Sequence, residues 1–311
     1  MARMCESTFL SSDEHTRLYY REYLPEREAV GIVQLVHGIA EHIERYHDFA
    51  TFLANNGYIV VAHDQLGHGK SAQNRELLGV FSETGGWDKA VQDIRTLHNM
   101  TAAKYPGKPY FLFGHSMGSF LVRTYLIRFR DGLDGVMLSG TGQQNPFFIS
   151  GAKVMCAREV KKHGAPYKSA KLNKIAFGSY NDKFDTVRTA YDWICRDPAV
   201  VDKYVSDPLC CFIPSASLLE DMMEGILYIS KPKNVARMKK NLPVLFFSGD
   251  KDPVGDYGRG VIRAYKSFLK AGMTDVTMKL YHNARHEMLN ELNKAEVYQD
   301  ILSWLNGKAG R

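Results

Sequence analysis

The chain lacks a long apolar stretch. Its 311 residues contain no run of about 18 consecutive apolar residues, the length that a membrane-spanning helix requires. The opening segment MARMCESTFLSSDEH has no apolar core of the kind found in secretory signals, so we expect no such signal. There is no internal repeat, and hydrophobic residues (45%) and charged residues (24%) occur at ordinary levels. These features exclude solenoids and disordered chains and indicate a folded globular protein.

Cysteine is also sparse. The five cysteines are an odd number, and no two of them have the spacing C-x-x-C. This pattern does not suit a disulfide framework or a zinc knuckle. It favours a reducing compartment, and we expect a cytoplasmic protein.

An excess of one charge occurs only locally. The chain has 40 Lys and Arg against 34 Asp and Glu, a net charge of +6. Residues 153–174 alone hold seven Lys or Arg and one Glu. A nucleic-acid-binding protein would spread its basic residues more widely, so we expect no nucleic-acid partner. We interpret the basic stretch 153–174 either as a solvated helix face or as a surface for peripheral contact with an anionic membrane.

Strands and helices alternate over residues 17–144 and again from residue 239. Strand-like runs such as YIVVAHD and YFLFGHS are apolar on both faces, as in a parallel sheet covered by helices. The segments between them, such as WDKAVQDIRTLHNMTAAKY, have apolar residues at helical spacing. The sequence therefore predicts a doubly wound α/β fold with a mostly parallel central sheet and helices on both faces.

Residues 145–238 interrupt this alternation. They contain no clear buried strand but several helix-like segments, such as SASLLEDMMEGILYIS. We interpret them as a helical cap, or lid, inserted between the two parts of the core, 1–144 and 239–311. The alternative is that these helices are ordinary layers that cover the sheet.

The motif Gly114-His115-Ser116-Met117-Gly118 carries the strongest chemical signal. It lies where the strand YFLF ends and the helix MGSFLVRTYLIRF begins. A G-x-S-x-G turn in this context places the serine in a strained conformation with its hydroxyl exposed at the edge of the sheet. Gly114 and Gly118 are required because larger side chains would collide with neighbouring strands. Ser116 is therefore the predicted nucleophile.

A nucleophilic serine needs a histidine base and an acid that orients it. Asp250 and Asp252 follow the strand LPVLFFSG, and His282 and His286 follow DVTMKLY. We prefer Asp252 and His286, because each lies farther into its loop and can reach across to the other elements. The alternative that the two histidines share a metal ion needs a helix and a third ligand, and neither is evident.

The oxyanion of an acyl-transfer intermediate needs two fixed N–H donors. One predicted donor is the main-chain N–H of Met117, directly after the nucleophile. The other is that of Ile39, in the loop after the strand QLV, where Gly38 permits a tight turn.

The segment Gly67-His68-Gly69-Lys70-Ser71 ends like a phosphate-binding loop. The full motif requires a glycine at position 64, which is Asp64. We therefore expect no nucleotide cofactor, and we interpret Gly67 and Gly69 as permitting a tight loop near the nucleophile.

Five segments, in this order and spacing, resemble those of the α/β-hydrolase superfamily: HGIAEH, HDQLGHGKS, GHSMG, GDKDPVG and NARHEMLNE. Within it they are similar to the monoacylglycerol lipase and lysophospholipase branch, also called the serine aminopeptidase group. The resemblance implies a helical cap over the active site. It also implies a catalytic triad of Ser116, Asp252 and His286, with oxyanion donors at Ile39 and Met117.

The predicted activity is hydrolysis of single-chain lipid esters, such as monoacylglycerols or lysophospholipids, without a metal or organic cofactor. Apolar residues of the predicted cap offer a wall for an acyl chain: Phe147, Phe148, Ile149, Leu218, Leu219, Met222, Met223, Ile226 and Leu227. The alternatives are an esterase for small or aromatic esters, a thioesterase, a peptidase, or a binding protein without catalytic activity on the same scaffold.

Overall fold

A computed structural model of the protein describes residues 2–310. Within this range the strands are β1 Arg3–Leu10, β2 Arg17–Leu24, β3 Gly31–Val36, β4 Tyr58–His63, β5 Tyr110–His115, β6 Gly135–Ser139, β7 Val244–Gly249 and β8 Val276–Tyr281. The α-helices are α1 His47–Asn55, α2 Gly86–Lys104, α3 Met117–Arg128, α4 Pro146–His163, α5 Ala170–Phe177, α6 Pro198–Ser206, α7 Ala216–Ser230, α8 Pro232–Val235, α9 Arg259–Lys270 and α10 Lys294–Lys308.

The eight strands form one sheet in the order β1-β2-β4-β3-β5-β6-β7-β8. The pairs β1–β2 and β2–β4 are antiparallel, and all later pairs are parallel. Alternate residues of β3 contribute to two separate cores: Ile32 and Val36 to one face, Val33 and Leu35 to the other. Helices α2, α3 and α9 cover the first face, and α1 and α10 cover the second. The predicted α/β-hydrolase fold is therefore confirmed.

The first strand, β1, was not predicted. Only Phe9 of its eight residues is buried, so the segment shows no apolar alternation that would distinguish it from an exposed loop. It forms a strand because it pairs along its whole length with β2, from Arg3 opposite Leu24 to Leu10 opposite Arg17. Pairing at the edge of a sheet depends on main-chain hydrogen bonds rather than on side-chain burial.

The parallel strands β3, β5, β6, β7 and β8 bring the five loops that follow them to one edge of the sheet. Val36 at the end of β3 pairs with Gly114 near the end of β5, and Gly114 pairs with Leu138 near the end of β6. Gly249 and Tyr281, at the ends of β7 and β8, pair with each other at the same edge. Ligands of open α/β sheets bind at this carboxyl edge.

Helices α4 to α8 lie between β6 and β7 in the chain, and residues 140–243 contain no strand. In α7 the apolar residues at helical spacing, at positions 218, 219, 222, 223, 226 and 229, are all buried. They are buried because α7 packs against α2 and α3 of the core and also against α4. In the described range, no helix is long and apolar enough to cross a bilayer.

Candidate active site

Ser116 occupies the turn between β5 and α3. Its main chain has φ 52° and ψ −124°, a conformation that is strained for a residue other than glycine. The tight turn leaves no room beside it: a Cβ on Gly114 would lie 2.6 Å from the Gly118 carbonyl oxygen. A Cβ on Gly118 would lie 2.2 Å from the carbonyl oxygen of Val36 on the neighbouring strand. The two glycines therefore allow β3, β5 and α3 to approach closely enough to form the turn.

Asp252 and His286 are brought together by the loops after β7 and β8. Nδ1 of His286 lies 2.9 Å from Oδ2 of Asp252, and both side chains are almost completely buried. Asp252 also accepts hydrogen bonds from the Ser248 hydroxyl (2.8 Å) and the Val254 N–H (2.9 Å). These contacts fix the orientation of the carboxylate, and the carboxylate in turn orients the imidazole.

The pKa values of this pair shift in opposite directions. Burial alone would lower the pKa of His286, but the negative charge of Asp252 and its hydrogen bond outweigh burial and raise it. Burial alone would raise the pKa of Asp252, but His286 and the hydrogen bonds from Ser248 and Val254 outweigh that effect and lower it. Asp252 therefore stabilises the imidazolium that forms when His286 accepts a proton.

Ser116 and His286 line the same small cavity, of about 50 Å³. Nε2 of His286 is buried and makes no hydrogen bond within residues 2–310, so this nitrogen is available to accept a proton. The imidazole ring packs between the rings of His115 and Trp193, with centroids 4.6 Å and 5.1 Å away. The serine and histidine thus face one space without being hydrogen-bonded, and in unliganded enzymes such contacts are often loose.

The competing pair, Asp250 and His282, lies on the surface. The imidazole of His282 is 83% exposed, and its Nδ1 lies 3.0 Å from Oδ2 of Asp250. Asp250 also accepts a hydrogen bond from the Asn283 N–H in the same loop. These residues therefore join two loops but do not face Ser116. The two histidines of this loop do not share a helix, and each is paired with its own aspartate.

Ile39 and Met117, the predicted oxyanion donors, lie beside Ser116 in the wall of a larger cavity. The loop that carries Ile39 is held by a buried glutamate: the Gly38 N–H donates to Oε1 of Glu41 over 2.6 Å. A Cβ at position 38 would lie 2.7 Å from that oxygen, so the contact requires glycine. The sequence alone had given Glu41 no role.

The larger cavity has a volume of about 680 Å³ and a mostly apolar wall. Seven residues of the predicted acyl wall line it, namely Phe147, Phe148, Ile149, Leu219, Met222, Met223 and Ile226. Leu218 and Leu227 are not lining residues. Among residues 2–310, no Asp, Glu, Lys, Arg or His side chain contributes to the wall. The smaller cavity is more polar and includes Glu41, Asn173, Tyr191 and Glu287.

The loop that ends like a phosphate-binding motif is filled by its own aspartate. Asp64 accepts hydrogen bonds from the N–H groups of Ile43 and Lys70, both over 2.8 Å. Gly67 and Gly69 have positive φ angles, and a Cβ on Gly69 would lie 2.2 Å from the Asp64 carboxylate. A side-chain carboxylate thus occupies the place where such a loop would hold a phosphate.

Three residues of metal-ligating type converge elsewhere, between the loop after β3 and the segment after α6. They are His42, Asp207 and Cys210, whose ligand atoms lie within 4.8 Å of one another. Nε2 of His42 is 2.9 Å from Oδ2 of Asp207. Sequence inspection could not find this group because His42 lies far from the other two in the chain.

Comparison with known proteins identifies the family. The family model described as "Serine aminopeptidase, S33" matches residues 27–293. The chain belongs to this family. The S33 family match includes every element from β3 to β8, and thus all the loops that carry the candidate site.

Relatives of this S33 hydrolase agree with the resemblance predicted from its motifs. The chain is 30% identical to a monoacylglycerol lipase of Mycolicibacterium smegmatis over 93% of this chain and 92% of that protein. It is 28% identical to human monoglyceride lipase, over 93% and 86% of the two chains. Among solved structures, a thermostable carboxyl esterase from Bacillus coagulans in complex with glycerol is 30% identical, with a TM-score of 0.92 over 99% of both chains. The protein is therefore a hydrolase.

Proposed function

We propose that this S33 hydrolase cleaves carboxylic esters through an acyl-enzyme, with Ser116, His286 and Asp252 as its catalytic triad. The observation that carries this proposal is the buried hydrogen bond between His286 and Asp252, which leaves Nε2 free in the cavity that Ser116 also lines. A strained nucleophile, a base with a free nitrogen and an orienting carboxylate are the three parts that the reaction needs.

In the proposed first step, Nε2 of His286 removes the hydroxyl proton of Ser116 while its oxygen attacks the ester carbonyl. The N–H groups of Ile39 and Met117 bind the oxyanion that forms, and Asp252 stabilises the imidazolium. The alcohol leaves with the proton from His286, and the acyl group stays on Ser116. A water molecule, activated by the same histidine, then releases the carboxylic acid. This sequence needs no metal and no organic cofactor.

The two cavities support a monoacylglycerol, a lysophospholipid or a similar single-chain ester as the substrate. The larger, uncharged cavity suits an acyl chain, and the smaller, more polar cavity suits the alcohol part, because both meet at Ser116. The activities in the names of the lipase relatives are consistent with this choice. A peptidase or a small-ester esterase is less well supported, because neither would use so large an apolar space.

Residues 145–238 are proposed to act as a lid over the site, because α4, α5 and α7 supply most of the wall of the larger cavity. Phe147, Phe148, Val154 and Ile175 line this cavity and are also at least half exposed. Exposed Lys and Arg of the basic stretch 153–174 lie on the same helices. We propose that this apolar and basic rim contacts an anionic membrane peripherally, so that a lipid ester can enter from the bilayer.

A matched ester series tests the proposed function. Monoacylglycerols, lysophospholipids and short p-nitrophenyl esters are assayed with the wild-type protein and with Ser116→Ala. We expect wild type to prefer the long single-chain esters and to react with a fluorophosphonate probe, whereas Ser116→Ala does neither. Undiminished turnover by Ser116→Ala would refute the mechanism. A preference for short esters would leave the mechanism intact and favour the alternative substrate.

A further inference from the structure

The residue directly after the candidate base, Glu287, makes a buried ion pair. The pair links the loop after β8, which carries His286, to the loop after β3, which carries Ile39 and is called the oxyanion loop below. Its two carboxylate oxygens each accept a hydrogen bond of 2.6 Å from the Arg45 guanidinium. The Glu287 and Arg45 side chains are only 6% and 10% exposed. Bidentate contacts between a guanidinium and a carboxylate hold both side chains in one orientation. The main-chain N–H of Glu287 also donates to the carbonyl of Ile194 over 2.7 Å.

Arg45 is shared with a second carboxylate. Its Nη1 also donates to Oε2 of Glu41 over 2.9 Å, and Oε1 of Glu41 accepts the N–H of Gly38 and the hydroxyl of Tyr46. A continuous chain of buried hydrogen bonds therefore runs from the loop of His286, through Arg45 and Glu41, to the loop that carries Ile39.

This network contains two carboxylates and only one guanidinium. The pKa of Glu41 lies below its ordinary value: burial opposes this shift, but the charge of Arg45 and the hydrogen bonds outweigh burial. Because a single guanidinium contacts both carboxylates, the network carries an excess of negative charge beside His286. Glu287 and Glu41 act on the imidazole in the same direction as Asp252, raising the pKa of His286.

A histidine, two tyrosines and two cysteines around this network are neutral at pH 7. Burial lowers the pKa of His115 to about 4, and the ring packs against His286. Burial raises the pKa values of the remaining neighbours of Glu287, namely Tyr46, Tyr204, Cys195 and Cys211. Asp207 also faces Arg45, but it is hydrogen-bonded to His42. Within residues 2–310, Arg45 is the only cation that forms an ion pair with Glu41 or Glu287.

We propose that Glu287 is a positioning residue whose pair with Arg45 keeps His286 in a fixed position relative to the oxyanion loop. The charge of Glu287 also stabilises the imidazolium formed during ester cleavage. This inference rests on the proposed function, because it assumes that His286 is the base. It assigns to the Glu41–Arg45–Glu287 network an electrostatic task that Asp252 alone was expected to perform.

The decisive experiment is the pH profile of kcat/KM for Glu287→Gln, which keeps the size of the side chain and removes its charge. On the acidic limb of the profile, where kcat/KM falls as pH drops, the fraction of the plateau value that remains should be about three- to tenfold larger in the variant than in wild type. The reason is that a less stable imidazolium deprotonates at lower pH. At the plateau, kcat should fall by about three- to thirtyfold. Melting temperatures measured in parallel show whether the variant is folded.

Two further variants separate charge from position. Arg45→Gln/Glu287→Gln removes one charge of each sign and restores the wild-type net charge of the network, so its acidic limb should return toward that of wild type. Glu287→Asp keeps the charge but shortens the side chain, so it should lower kcat without moving the limb. These two variants also test the idea if Glu287→Gln does not fold.

Glu291→Gln is the matched control. Glu291 is a buried carboxylate of the same loop, and it is paired one-to-one with Arg196 and accepts the N–H of Arg285. Removing the charge of Glu291 should loosen the loop without shifting the acidic limb of the kcat/KM profile. An unmoved limb in Glu287→Gln, or an equal movement in Glu291→Gln, would overturn the proposal. Activity that survives Ser116→Ala or His286→Ala would instead refute the proposed function, so the two failures are distinguishable.

Discussion

Asp252 and His286 form a 2.9 Å hydrogen bond, and Asp250 and His282 form a second one of 3.0 Å between the same two loops. The two pairs differ in burial, not in type: the first is enclosed beside Ser116 and the second is on the surface. Each pair therefore serves as an internal control for the other.

We expect Asp252→Asn to lower kcat by about 10⁴-fold, because an amide cannot hold the imidazole in the tautomer that accepts the serine proton. Asp250→Asn should change kcat by less than about tenfold, because its partner His282 is solvent-exposed. Turnover of p-nitrophenyl butyrate measures both. Similar losses in the two variants would show that the acid is assigned wrongly.

His286→Ala should lower kcat by roughly 10³- to 10⁶-fold, the range expected when the base of such a triad is removed. His282→Ala should have a mild effect. Circular dichroism spectra confirm that both variants are folded. If the two substitutions reduced activity equally, His286 could not be named as the base.

The activity should be lost on the acidic side of neutrality. His286 must be neutral to accept a proton, and Asp252 raises its pKa above the ordinary value of 6.5. The kcat/KM profile should therefore fall as pH drops, at a higher pH than an unperturbed histidine would give. If the midpoint of the acidic fall in kcat/KM lay below the ordinary histidine pKa of 6.5, this assignment would be contradicted.

Gly118→Ala should destabilise the fold by about 3–5 kcal/mol, because its Cβ would lie 2.2 Å from the Val36 carbonyl oxygen. Gly307→Ala is the control: this helical position has nothing within 4 Å of the added atom. There alanine should stabilise the protein by about 0.5–1 kcal/mol through helix propensity. Urea denaturation curves measure both changes, and equal effects would refute the packing argument.

Membrane contact should depend on the basic stretch. Lys161→Glu/Lys162→Glu should weaken binding to anionic vesicles by at least about tenfold, because each lysine near the surface contributes about 1 kcal/mol. Lys266→Glu/Lys270→Glu makes the same charge change on exposed residues of α9, outside that stretch. Flotation with vesicles that contain phosphatidylserine compares the two. Binding that is indifferent to charge and to salt would remove the membrane proposal.

The local sequence determined the sheet, its covering helices and the tight strand-to-helix turn at Ser116. Runs such as YFLF, apolar on every residue, are stable only when they are buried on both faces. The positions of Gly114 and Gly118 follow from the turn that they permit. The preference for Asp252 and His286 over Asp250 and His282 came from their positions farther into the two loops.

Only the tertiary structure decided which distant side chains share one site. The pairing of Glu287 with Arg45, the closure of the Gly38 loop by Glu41 and the packing of Trp193 on His286 all join segments far apart in the chain. The same is true of β1, which is a strand only because β2 lies beside it. Backbone preferences act over a few residues, whereas an ion pair between loops exists only after the sheet has brought those loops to its carboxyl edge.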